Sequence, residues 1–166
     1  GWESRLLVSA DGMDWDSREL LFSDEQRFFR DIAYGGGCYV AVGHHFQQGL
    51  IWRSMNGVDW DAVEVASDAL HAVRYVGGRF FALATFEDVL VSEDGVSWHK
   101  TTTETLQPSD VDHGAGVFVL VGSGPFQRAT DGLDWSPYSV DCALPDACVT
   151  DPGGGVHQPP SASVFY

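Results

Sequence analysis

The chain has 166 residues, of which 44% are hydrophobic and 13% aromatic, which is enough to build the core of one domain and excludes a disordered composition. Its 24 acidic residues outnumber the 9 lysines and arginines and give a net charge of −15, so we exclude a nucleic-acid partner, whose phosphates bind basic residues. No apolar run approaches the roughly 18 residues of a membrane span.

The first predicted element is a pair of strands, Arg5–Ser9 and Trp15–Leu20, joined by the tight turn SADGMDW. The same pattern, S-x-[D/N]-G-x-x-W with one serine replaced, recurs at residues 54–60, 92–98 and 129–135. Asp-Gly and Asn-Gly between apolar runs predict β-hairpins, because glycine accepts a positive φ and the Asp or Asn side chain bonds nearby backbone amides. Each tryptophan is expected to begin the returning strand and to bury its ring.

A second repeat lies between the hairpins and consists of glycine-rich turns flanked by apolar runs, at residues 34–43, 75–84 and 113–122. Together the two patterns define a unit that contains four short strands. In the clearest copy we predict these strands at Arg30–Tyr34, Tyr39–Val42, Leu50–Ser54 and Trp60–Val65. A four-stranded antiparallel unit with a period of about 40 residues is typical of a β-propeller blade. The expected fold is therefore all-β, without a sustained helix.

The carboxyl-terminal part carries a weaker copy of the repeat. Residues 151–154 (DPGG) continue the glycine spacing, and a first strand is predicted near Ala147–Thr150. Since the chain starts with a third and a fourth strand, we expect a single β-propeller domain over residues 1–166, with four blades closed by N- and C-terminal strands. The alternative is a fragment of a larger or oligomeric propeller. The chain would be a monomer if the ring is closed and an oligomer otherwise.

Three cysteines bear on the location of the protein. Cys142 and Cys148 flank a proline-containing turn, and a local disulfide between them would suit an exported protein, so we favour an extracellular or periplasmic location. Cys38 lies in an apolar strand and is expected to be a buried small hydrophobic residue.

The S-x-D-G-x-x-W hairpin resembles the Asp-box of sialidase-type and kelch-like propellers, whose usual form, S-x-D-x-G-x-x-W, has one more residue between Asp and Gly. The resemblance covers about residues 4–155. It implies a propeller fold, and it implies that the hairpins are structural and lie away from any active site. Such repeats occur in enzymes and in non-enzymes alike.

Function is expected on the opposite face, in the loops between second and third strands, because loops on a rigid scaffold carry function. The candidate ligand-binding residues in these loops are His44, His45, Phe46, Gln47, Gln48, Phe86, Glu87, Asp88, Phe126 and Gln127. Four further candidates would be brought by the first strands towards the central channel: Arg30, Asp31, His71 and Asp110.

No cofactor and no metal centre are predicted. The six histidines are scattered, and the adjacent His44 and His45 point to opposite sides of a strand. A divalent cation near Asp31 and Asp110 is the one alternative left open.

No catalytic residue is assigned. A sialidase would need three arginines around a carboxylate, and nothing in the sequence places Arg30, Arg74 and Arg128 together; Tyr34 and Tyr75 occupy matching repeat positions and are expected in the core. We therefore predict a non-catalytic binding or interaction module whose ligand is a glycan or a protein. The alternative is a glycan-acting hydrolase of the sialidase type, which requires two carboxylates about 5–10 Å apart in the channel.

Overall fold

A computed structural model of the chain describes residues 5–19, 27–104 and 106–138. These residues form fourteen strands in four antiparallel sheets, three with four strands and one with two. The all-β prediction is therefore confirmed. Within this part of the chain, no helix has the length and apolar character of a membrane span.

The sheets follow one another along the chain. The two-stranded sheet, here called the half-blade, pairs β1 (Arg5–Val8) with β2 (Asp16–Glu19). Blade 1 contains β3 (Arg27–Gly35), β4 (Cys38–His45), β5 (Gln48–Ser54) and β6 (Asp61–Val63). Blade 2 contains β7 (Leu70–Val76), β8 (Arg79–Ala84), β9 (Asp88–Ser92) and β10 (His99–Thr102). Blade 3 contains β11 (Leu106–Gly114), β12 (Val117–Ser123), β13 (Phe126–Ala129) and β14 (Ser136–Tyr138). Strands pair in chain order within each blade, as predicted.

The predicted closure of the ring falls outside the described residues. The strand expected near Ala147–Thr150 and the disulfide between Cys142 and Cys148 both lie beyond residue 138. Cys38, in contrast, is described, and it is a free and buried thiol, as predicted.

The Asp-Gly and Asn-Gly hairpins close through a repeated set of side-chain hydrogen bonds. In blade 2, the Ser92 hydroxyl donates to Asp94 Oδ1 (3.1 Å) and accepts from the Gly95 amide (2.8 Å). Asp94 Oδ1 also accepts from the amides of Val96 and Ser97, each at 2.8 Å. Gly95 has a φ of 73°, in the left-handed region that favours glycine. These are turn residues, as predicted.

The last hairpin has Ala129 where the others have serine, and this offers a matched pair of substitutions. Ser92→Ala removes a buried hydroxyl and the partner of the buried Gly95 amide, so we expect a loss of about 1–2 kcal/mol in the free energy of unfolding. Ala129→Ser adds a hydroxyl at the equivalent place and should cost nothing. Urea unfolding measures both changes, and equal losses would contradict the role given to the hydroxyl.

Three hairpin aspartates link stability to pH. Hydrogen bonds from backbone amides hold the pKa of Asp11, Asp94 and Asp131 below its usual range. A carboxyl whose pKa is lowered by folding stabilises the fold above its unfolded pKa, and that contribution is lost as the pH falls through the folded pKa. We therefore expect the urea midpoint to drop below a pH of about 4. It should drop less in Asp94→Asn, which keeps an acceptor oxygen as Asn56 does in blade 1, and identical drops would argue against this linkage.

Three of the four hairpin tryptophans are partly buried. The Trp98 indole donates to the Gly95 carbonyl (3.2 Å), Trp60 packs near Tyr39, and Trp135 packs near Phe81. Trp15 is 57% exposed, so the prediction that all four rings pack is wrong for this one. It lies in the half-blade, where the described residues supply two strands instead of four.

The hydrophobic core lies between the blades. One buried cluster joins blade 1 to blade 2 and consists of Cys38, Val40, Val42, Ile51, Leu70, Val73, Phe80, Ala82, Ala84 and Leu90. Another joins blade 2 to blade 3 and consists of Ala72, Phe81, Leu83, Val89, Val91, Val111, Phe118 and Leu120. Successive residues of a strand point to opposite faces, so β8 supplies Phe80 to one cluster and Phe81 to the other. Blade 2 is thus covered on both faces.

Candidate functional site

Each first strand carries a β-bulge at the same place. The pairing of β3 with β4 passes from Phe29 to Asp31 and leaves Arg30 as an extra residue. The corresponding extra residues are His71 in blade 2 and Ser109 in blade 3. A bulge redirects the side chain of the inserted residue. His71 Nε2 lies 2.8 Å from the Pro108 carbonyl oxygen, so it contacts the next blade.

Three blades meet at one guanidinium. Arg74, on β7, places Nη1 2.6 Å from Asp31 Oδ2 of blade 1 and Nε 2.8 Å from Asp110 Oδ1 of blade 3. The Val73 amide donates to the same oxygen of Asp31 (3.0 Å). The first strands therefore bring Asp31 and Asp110 to one guanidinium, and the residue that joins them is one that the sequence analysis did not select. A ligand-binding role for Asp31 and Asp110 in a central channel stays a prediction.

Arg74 fixes the first strands relative to one another. Burial lowers its pKa, but the hydrogen bond to Asp31 and the charge of Asp110 outweigh burial, and the pKa is raised overall. The Arg74 and Asp110 side chains are 39% and 54% exposed, so we assign these pairs about 1 kcal/mol or less of stability. A signal was present in the sequence, since an arginine inside the apolar strand LHAVRYV favours an acidic partner.

Exposed phenylalanines stand in the turns between second and third strands of blades 1 and 2. These turns, with the β12–β13 turn of blade 3 here called the loop face, carry Phe46 and Phe86, with exposed fractions of 67% and 59%. Phe126, 48% exposed, is instead the first residue of β13 and pairs with β14, so its predicted place in the loop is wrong. In the blade interiors, by contrast, Phe80 and Phe81 are fully buried. Exposed aromatic rings offer large apolar contacts, which recognition surfaces use.

Backbone hydrogen bonds anchor the loop face to the connections between blades. The Thr85 amide donates to the Ala69 carbonyl (2.9 Å), and the Thr103 amide donates to the Glu87 carbonyl (3.2 Å). The β4–β5 side is held in the same way, through the Gly49 amide. Phe46 and Phe86 therefore stand on turns whose backbone is held in place.

Phe46 adopts a left-handed conformation, φ 55°, which residues other than glycine seldom adopt. His44 holds this turn, because its Nδ1 lies 2.9 Å from the Phe46 carbonyl oxygen and its Nε2 lies 3.2–3.3 Å from Arg30 nitrogens. A guanidinium can only donate, so Nε2 accepts, and Nδ1 carries the hydrogen donated to Phe46. The neighbouring strand thus supports a strained turn that presents an aromatic ring to solvent.

The other predicted loop residues fall into two environments. Beside the phenylalanines, and exposed, are Gln47, Gln48 and Glu87. Asp88 and Gln127 are instead buried, with 8% and 1% exposed. Asp88 begins β9 and forms an ion pair with Lys100, and Gln127 lies within β13. Their burial removes both from the contact surface that the sequence suggested.

The histidines and aspartates do not assemble as metal ligands in the described part of the chain. Among residues 5–19, 27–104 and 106–138, no three His, Cys, Asp or Glu side chains are grouped so as to hold an ion. His44 and His45 have different surroundings, since His44 contacts Arg30 and His45 packs on the Phe46 ring. The position left open for a cation, between the two aspartates of the first strands, is taken by a guanidinium.

The arrangement also bears on the hydrolase alternative. Arg30 contacts His44, and Arg74 is engaged by two aspartates. Arg128 lies on the third strand of blade 3, two strands from the first, with its guanidinium 5.0 Å from the Tyr138 ring centroid. The three arginines therefore have separate partners. Tyr34 is 60% exposed, so its predicted place in the core is wrong.

Comparison with known proteins identifies the fold. No protein-family model and no curated protein matches the sequence. Among solved structures, the chain is similar to one described as YCF48 bound to D1 peptide, with a TM-score of 0.54 and 16% identity over 76% of this chain. The similarity covers 45% of that chain, so this chain corresponds to less than half of it. At this identity the likeness shows the fold alone, and the chain has the repeat fold of a β-propeller.

Proposed function

We propose that the chain is a non-catalytic β-propeller interaction module and that its loop face binds a segment of another protein. The observation that carries the proposal is the exposure of Phe46 and Phe86, which stand in the turns between second and third strands of two neighbouring blades. Rings placed on neighbouring blades can contact successive apolar side chains of an extended segment. The rigid blades below them reduce the entropy lost on binding.

Charge favours a basic segment. The chain carries a net charge of −15, and the exposed Glu87 directly follows Phe86 on the loop face. An acidic surface raises the encounter rate with a cationic partner and disfavours an anionic one. The favoured ligand is therefore a peptide segment that combines lysine or arginine with apolar side chains.

The similar solved structure gives a precedent. It is described as YCF48 bound to D1 peptide, so a protein with this fold binds a peptide. The precedent supports a peptide ligand, although a shared fold by itself does not transfer function.

We also propose that the S-x-D-G-x-x-W hairpin is a shortened Asp-box. The repeated serine and Asp or Asn hydrogen bonds support a structural role for this turn, as the resemblance implies. This role leaves the loop face as the place for a ligand.

An arrayed library of short peptides of varied net charge, screened beside a glycan array, tests the proposed function. We expect binding to basic, partly apolar peptides, and we expect Phe46→Ala to weaken it about tenfold or more. Met55→Ala is the matched control, because Met55 is also apolar and 61% exposed but lies on a hairpin away from the loop face.

Two outcomes would overturn the proposal. Binding to glycans alone would replace the peptide ligand by the glycan alternative. If Met55→Ala lost peptide binding while Phe46→Ala bound the peptide normally, the site would lie on the hairpin side.

A further inference from the structure

The first strand of blade 1 exposes a position that the other blades bury. Ile32, Val73 and Val111 are equivalent, since each lies three residues before the end of the first strand of its blade. Val73 and Val111 are 1% and 3% exposed, because the preceding blade covers them. Ile32 is 49% exposed. Within the described part of the chain, blade 1 therefore presents an interface residue that no blade covers.

Blade 3 shows the same feature on its opposite face. Val40, Phe81 and Val119 are each the third residue of a second strand. Val40 and Phe81 are fully buried under the following blade, whereas Val119 is 42% exposed. Each interface between neighbouring blades joins a second-strand face of one blade to a first-strand face of the next. Blade 1 exposes its first-strand face, and blade 3 exposes its second-strand face, so the two exposed faces are the two sides of this repeated interface.

A tyrosine and a glycine make this complementarity specific. The Tyr75 ring of blade 2 packs directly over Gly35, the last residue of the first strand of blade 1, and leaves no room there for a Cβ. Tyr34, the equivalent of Tyr75 in blade 1, is 60% exposed. Gly114, the equivalent of Gly35 in blade 3, has no atom of the described residues within 4 Å of a Cβ placed on it. One end of the stack therefore exposes the Tyr34 ring, and the other end has open space over Gly114 where a ring could pack.

We propose that a second copy of this chain covers both ends, with blade 1 of each copy stacked on blade 3 of the other. Tyr34 of one copy then seats over Gly114 of the other, as Tyr75 seats over Gly35 within the chain. The contact is head-to-tail, and two of them close a ring. The length of the chain agrees with this arrangement. This chain matches 45% of the similar solved chain, so two copies together correspond to about one chain of that length.

Light scattering on the 166-residue chain tests this inference. We expect the mass of a dimer at micromolar concentration, and we expect Ile32→Glu and Val119→Glu each to give a monomer. Val96→Glu, which changes a 51% exposed residue on a hairpin, is the control and should remain dimeric. Because a charge can disturb folding, Gly114→Trp provides a second variant that fills the open space over Gly114 without touching described neighbours.

Mixing the two glutamate variants tests the head-to-tail geometry. Ile32→Glu retains an intact blade 3 face and Val119→Glu an intact blade 1 face, so the mixture should recover dimers through one undamaged contact. A monomeric wild-type chain would overturn the proposal and assign the two faces to strands of the same chain. Dimers that survive Ile32→Glu, Val119→Glu and Gly114→Trp alike would also overturn it.

Discussion

Phe81→Ala should lower the free energy of unfolding by about 3–5 kcal/mol. The Phe81 side chain is fully buried, and its ring centroid lies 5.2 Å from that of Phe118 and 6.3 Å from that of Trp135, across the interface between blades 2 and 3. Truncation removes apolar contacts from both blades and leaves a cavity that the surrounding strands can close only in part. Urea unfolding followed by circular dichroism measures the loss.

The control for this substitution is a phenylalanine of the loop face. Phe86 is 59% exposed, so Phe86→Ala should change the free energy of unfolding by less than about 0.5 kcal/mol. Comparable losses in Phe81→Ala and Phe86→Ala would contradict the assignment of the core to the spaces between blades.

The second large effect is expected at Gly35. A methyl group there would overlap the Tyr75 ring, so Gly35→Ala must push this ring out of the interface between blades 1 and 2. Tyr75 packs on Phe80, with ring centroids 4.7 Å apart, so the disturbance reaches the buried cluster. We expect a loss of about 1–3 kcal/mol in the free energy of unfolding, the usual cost of overpacking.

Gly114→Ala is the matched control, since Gly114 occupies the same strand position in blade 3 and a Cβ there meets none of the atoms of residues 5–19, 27–104 and 106–138 within 4 Å. At a concentration where the chain is monomeric, this substitution should leave the free energy of unfolding unchanged or slightly raised. A larger loss in the free energy of unfolding for Gly114→Ala than for Gly35→Ala would show that the packing of Tyr75 over Gly35 does not stabilise the interface.

Local sequence predicts most of the blade architecture. The residues of the Asp-Gly turns carry their own hydrogen-bonding groups, so Ser92, Asp94 and Gly95 specify the hairpin without help from distant parts of the chain. The glycine-rich turns likewise place the first and second strands. Blade 1 illustrates the precision, since the predicted Leu50–Ser54 lies within the observed Gln48–Ser54.

Features that depend on neighbouring blades were harder to predict. Tyr34 and Tyr75 occupy the same repeat position, but Tyr75 has Gly35 of the preceding blade beneath it and Tyr34 is exposed. Arg74 was missed as a site residue because its partners, Asp31 and Asp110, come from two other blades and have no fixed sequence spacing from it. A repeat pattern defines each blade but not which neighbour each blade has.

The candidate site was predictable in outline only. The turns between second and third strands were selected because they vary between blades, and the rings of Phe46 and Phe86 stand exposed in them. Asp88, Phe126 and Gln127 were selected with them because the ends of the turns could not be located to within one or two residues. All three fall inside strands, where the side chains of Asp88 and Gln127 are buried.

Hydrogen–deuterium exchange on the chain, with and without a peptide selected from the array, tests the loop face most directly as the binding surface. We predict that the peptide slows exchange in residues 44–48, 84–88 and 123–127, and leaves the hairpins at 54–60 and 92–98 unchanged. Slower exchange confined to those hairpins, with the three turns unaffected, would contradict a binding surface built from the exposed phenylalanines.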